Sequence, residues 1–163
     1  MKIFGKSLSE YVRFEKELLI LILLVGVARL GLSLLDVPNS TTKYLSLTVV
    51  LLLGLVYYSV RVYTSGFGSY KQLLAVLELA SIVGGTIIIA GIVISILTGK
   101  DNIFSAPEYS PNHADGKTWF HAGAHVVASL VVPLVLWLVG SLIMFVTKKI
   151  TGTRAPRDGA AAA

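Results

Sequence analysis

The sequence predicts an all-α integral membrane protein, a four-helix bundle with both termini in the cytoplasm. Three observations carry that expectation. Hydrophobic residues fill 55% of the 163 positions and charged residues only 14%, outside the range of an ordinary soluble domain. The apolar residues fall into four blocks, roughly 17–35, 44–63, 71–98 and 119–147, and about 20 mostly apolar residues suffice to cross the hydrocarbon. If the blocks alternate in direction, one side receives Lys2, Lys6, Arg13, Lys16, Arg61, Lys71, Lys148, Lys149, Arg154 and Arg157, and the other only Lys43, Lys100 and Lys117. The positive-inside rule then puts both ends and the turn near residue 66 in the cytoplasm. The net charge of +5 therefore reads as a topology signal and as attraction to anionic lipid headgroups, not as a nucleic-acid surface.

The blocks account for most of the chain, so residues 1–150 form one transmembrane domain, followed by a tail, 151–163, of disordered character. Ser7-Leu-Ser-Glu10 has capping-box spacing, and Tyr11, Phe14 and Leu18 share a face, so residues 8–17 read as an interfacial lead-in to the first span. Arg29 lies inside that span, about six residues (roughly 9 Å) from its outer end. Burying it there costs roughly 2.5 kcal/mol or more unless it snorkels or finds a partner. Pro38 interrupts the chain, and Ser40 or Thr41 offers a cap for the second span, which ends in Tyr57, Tyr58, Arg61 and Tyr63, an aromatic belt with a base.

Thr64-Ser-Gly-Phe-Gly-Ser69 is a tight turn into the third span. Glu78 sits about eight residues into that span, with Lys71 and Arg61 as candidate ion partners. Ala80, Ser81, Gly84, Gly85, Gly91 and Ser95 make a small-residue stripe that lets helices approach closely. Gly99 to Thr118 is a polar loop, long for a bundle and so functional or a lid. The fourth span opens at Trp119 and carries Pro133, where a kink is expected.

Chemistry is scarce and points to one place. No cysteine occurs, which excludes disulfides and thiolate sites. Gly-x-Ser-x-Gly, paired carboxylates and a phosphate loop are also missing, so no enzymatic activity and no catalytic residues are expected. His121 and His125 lie four apart, on one helix face. With His113 and nearby Glu108 and Asp115 they could surround a divalent metal ion. His125 lies six residues below Trp119, at a depth that matches Arg29. A b-type haem would need axial ligands from two sides, which this pair supplies only with a second chain.

One run carries a family resemblance. Gly68-Ser-Tyr-Lys-Gln-Leu-Leu-Ala-Val-Leu-Glu-Leu-Ala-Ser-Ile-Val-Gly84 resembles a segment of bacterial Yip-domain membrane proteins, in which an aromatic residue precedes a Lys/Arg-Gln-x-Leu-Ala-Val stretch and a small-residue bend. The usual proline of the bend is Val83 here, and four spans are expected instead of five. The likeness covers about a third of the chain. It implies a small polytopic protein that binds membrane partners without enzymatic activity. The combined expectation is a multi-pass protein of a bacterial cytoplasmic membrane, an interaction or structural subunit contacting lipid and other membrane subunits or its own copies. A metal- or haem-binding subunit and a small ion or proton transporter component using Arg29 and Glu78 are the alternatives.

Overall fold

The computed structural model describes residues 2–109 and 114–152; His113 and, of the expected tail 151–163, residues 153–163 lie outside the described residues, while Thr151 ends the last helix. Two short antiparallel strands, β1 (Lys2–Ile3) and β2 (Lys6–Ser7), precede helices α1 (Leu8–Leu34), α2 (Asn39–Thr42), α3 (Leu47–Thr64), α4 (Tyr70–Thr98) and α5 (Trp119–Thr151). Of these, α1, α4 and α5, and α3 together with the short α2 before it, are long and apolar enough to cross a membrane. The fold is thus the expected helical, multi-pass one.

Local sequence explains where the helices begin. Ser7 caps α1: its hydroxyl accepts from the Glu10 amide at 3.3 Å, and the Glu10 carboxylate accepts from the Ser7 amide at 2.7 Å. This is the expected capping box. The helical lead-in expected over 8–17 runs on into the first span as α1, Leu8–Leu34, with a kink at Glu15, whose backbone is non-helical (φ −113°, ψ 17°). The second span is not capped by Ser40 or Thr41. Those residues wind into α2, and Ser46 accepts from the Val49 amide at 3.3 Å to start α3. The turn before α4 uses Gly66 at φ 70°, where a side chain would be strained. Helix α5 runs unbroken through Pro133.

Helix α4 packs against α1, α3 and α5, while α1 and α5 lie on opposite flanks of the α3–α4 pair. Chain order makes α1 parallel to α4 and α5 antiparallel to it. Buried residues of α1, α3 and α4, including Ile22, Tyr58, Val62, Leu73 and Val76, form the core, and Met144 of α5 closes it. The small residues of α4 are spent inside this packing. A Cβ on Gly85 would collide with the Ser129 hydroxyl of α5, and one on Gly84 would touch Ile22 and Leu51. Gly140 of α5 makes the reciprocal approach, where a Cβ would lie 2.7 Å from the Ser59 hydroxyl.

Gly85→Leu is expected to lower stability by about 2 kcal/mol through overpacking of the α4–α5 contact. Gly31→Ala, which meets nothing within 4 Å, should be neutral or gain up to ~1 kcal/mol from helix propensity. Thermal unfolding in detergent checks both.

Candidate functional site

The end of the bundle that carries the long loop concentrates the polar groups. Segment 102–106 of that loop folds inward, and Asn102 is 1% exposed. Its amide donates to the Gly91 carbonyl and the Ser95 hydroxyl, both at 2.7 Å, and its oxygen accepts from the Phe104 amide at 3.0 Å. The Ser95 and Ser105 hydroxyls pair at 2.7 Å. The network continues across to α1, where the Ile103 amide donates to the Ser33 hydroxyl at 2.8 Å and that hydroxyl donates to Asn39 at 3.0 Å. Asn39 in turn donates to Glu108 at 3.0 Å. The loop is therefore a plug whose polar atoms are matched to α4, α1 and α2, as burial of such groups requires.

Two of the expected small residues build its seat. At Gly91 a Cβ would lie 2.6 Å from the Phe104 ring, so only glycine lets the plug descend this far. Ser95 supplies the hydroxyl already described. Arg29 lies over the Phe104 ring at 5.3 Å, a cation–π placement at the edge of the plug. Exposed ion pairs fasten the rim, with Lys100 on Asp36 at 2.8 Å and Lys117 on Asp101 at 2.7 Å. The hydrogen bond it donates to Asp101 holds the Lys117 ammonium above its usual range, and the Lys117 amide, donating to Asp115, holds that carboxyl below the usual carboxylate range.

The histidine pair stands beside this plug. Thr118 caps α5 by accepting from the His121 amide at 3.1 Å. His121 Nδ1 lies 2.9 Å from the Gly116 carbonyl, and the Nε2 atoms of His121 and His125 approach to 3.2 Å. A carbonyl can only accept, so Nδ1 carries the proton and His121 Nε2 is left with its lone pair turned toward His125. Metal-binding histidines are oriented by the same device. Two nitrogens at this separation subtend roughly 100–105° at an ion ~2.05 Å from each, near the tetrahedral angle. Among the described residues no group of three or more acidic, cysteine or histidine side chains gathers here. Glu108 is engaged by Asn39 and Asp115 by Lys117, so neither joins the pair. The rings are tilted 45° to one another with centroids 4.9 Å apart, too close for one haem to sit between them.

At the opposite end, Arg61 pairs with Glu17 at 3.6 Å and lies over the Phe14, Tyr57 and Tyr58 rings. The expected Arg61–Glu78 partnership is therefore absent, and among the described residues no ion pair joins Glu78 to Lys71 either. Glu78 instead lines a lateral apolar cavity with Leu74, Leu79 and Ile82. Sequence reading missed Glu15, which is 0% exposed with both carboxyl oxygens lacking a hydrogen-bond partner among the described residues. Its signal was available, since Tyr11, Glu15, Leu18 and Ile22 recur at one helical face. Ile22 meets Gly84 across parallel helices, which sets Glu15, seven residues earlier, level with Leu77 and beside Glu78 in depth.

Asn102→Ala is expected to cost about 1–3 kcal/mol by orphaning buried partners and to open segment 99–118 to proteolysis. Asp101→Asn, at the exposed rim, should stay within ~0.5 kcal/mol. Thermal unfolding with limited proteolysis distinguishes the two.

No protein-family model, curated protein or solved structure matches this chain.

Proposed function

We propose that the protein is a non-enzymatic interaction or structural subunit of a membrane assembly, with α5 as its docking face. One observation carries this reading. Helix α5 is the least buried of the four spans, and its exposed apolar surface runs from Phe120, 87% exposed, to Ile150, 79% exposed. Thirty residues of helix are about 45 Å long, whereas the hydrocarbon is ~30 Å thick, and ordinary tilts near 20° remove little of the excess. The ends of this surface therefore reach the interfacial regions, where apolar side chains are better covered by protein than by headgroups. The polar and small positions Ser129 and Gly140 are turned to α4 and α3, so the outward face stays apolar as far as Val146, ahead of Lys148 and Lys149. The likeness of residues 68–84 to the Yip family implies the same kind of role. A bacterial cytoplasmic membrane with both termini inside, as the lysine and arginine asymmetry favours, is the setting.

A photocrosslinking amino acid at Leu138, 63% exposed on α5, should yield a discrete protein adduct in cells, whereas one at Leu24, 64% exposed on α1, should not. A chain that purifies alone, with no adduct at either position, refutes the reading.

The histidine geometry favours a second reading, a divalent-metal site in which His121 and His125 supply two ligands and His113 or a partner supplies others. Zinc or cobalt titration of the purified chain tests it. His121→Ala and His125→Ala should each weaken binding at least about tenfold, and equal binding by the variants sinks it. Transport through Arg29 and Glu78 gains less support, because these residues sit at opposite ends of the bundle.

A further inference from the structure

We propose that the lateral cavity between the N-terminal hairpin, α1 and α4 is a binding site for one anionic phospholipid. The cavity has a volume of about 360 Å³ and is walled by Ile3, Phe4, Leu8, Tyr11, Ala75 and Ile82 among others, at the small end of the range of ligand pockets. Its walls are apolar and open sideways where the hydrocarbon lies, so an acyl chain enters without crossing water. The hairpin makes its roof and is fixed in place. Tyr11 donates to the Ile3 carbonyl at 3.0 Å, and Gln72 donates to the Phe4 carbonyl at 2.7 Å. Phe4 and Gly5 turn through positive φ, 49° and 88°, so that Lys2 precedes the lining residue Ile3 and Lys6 pairs with Ile3 across the two strands.

Charge selects the headgroup. Lys71 precedes Leu74, Ala75 and Glu78 by three, four and seven residues, so it stands on the helix face that lines the cavity. It sits about 10 Å nearer the membrane surface than Glu78. Lys71 and Lys2 are exposed, whereas Lys6 is already held by Glu10 at 3.7 Å. The two exposed lysines therefore present positive charge to a phosphate at the headgroup level. Below them Glu78 offers one polar group at the depth of the glycerol backbone, and Leu79 and Ile82 continue the apolar wall. The other lateral cavity, about 410 Å³ between α1 and α3, differs in that its charges, Arg61 and Glu17, already pair with each other.

Native mass spectrometry of the full chain released from vesicles of equal phosphatidylglycerol and phosphatidylcholine tests this site. One phosphatidylglycerol per chain should be retained over phosphatidylcholine, by about fivefold for each lysine. Lys2→Gln with Lys71→Gln should erase that preference. Ala75→Trp should displace lipid of either kind, and Ile82→Trp, at a position 43% exposed and so free of core packing, repeats the test without risk to the fold. Equal retention of both lipids by the natural chain overturns the proposal, as does unchanged retention in both tryptophan variants.

Discussion

Helix α4 touches three other helices, and at its closest approaches to them its positions carry almost no side chain. Hydrophobic transfer gives helices little reason to associate within lipid, so close van der Waals approach and interhelical hydrogen bonds must hold them. Gly84 admits Ile22 and Leu51, Gly85 admits Ser129, and Gly91 admits Phe104. Each contact belongs to a different neighbour: α1 with α3, then α5, then the loop. The register of the whole bundle follows from where these three glycines fall along one helix.

The same close packing decides where polar atoms can go. Ser129, squeezed against Gly85, returns its hydroxyl to the His125 carbonyl at 2.7 Å, and Ser59 returns its own to Leu55 at 2.6 Å. Such back-bonding satisfies a hydroxyl without a second helix. The long loop solves a larger version of the problem. Its backbone enters the bundle end, where bare amides and carbonyls are costly, and side chains match its amides: Asn102 accepts from Phe104, Ser33 from Ile103 and Ser105 from Asn102. That matched seat in turn fixes Gly116 and the start of α5, and so positions His121 against His125.

Much of the fold was legible because it is written in long-range composition. Block length gave four spans, and the Ser7–Glu10 spacing gave the first helix start. The small-residue stripe marked the helix that packs most widely. The plug was not legible. Glu108 and Asp115 drew attention as charges, yet they form the exposed rim with Asp101, while uncharged Asn102 and Ser105 do the anchoring. Their spacing of three is a turn signal, but nothing local says that a turn is buried. Glu15 was missed for the opposite reason: among Arg13, Lys16 and Glu17 it reads as one more surface charge, although it shares the face of Tyr11, Leu18 and Ile22 that α1 turns inward. His121 and His125 were found, because a spacing of four fixes their neighbourhood whatever the tertiary context.

The fastening of the hairpin has a consequence for biogenesis. Residues 2–7 close on Tyr11 of their own helix, but also on Gln72, and Lys6 rests over the Phe67 ring at 4.5 Å. A ribosome has made two complete spans before those later residues exist. The hairpin can therefore hold only to Tyr11 while α1 and α3 insert, and its contacts with Phe67 and Gln72 close only when α4 begins to arrive.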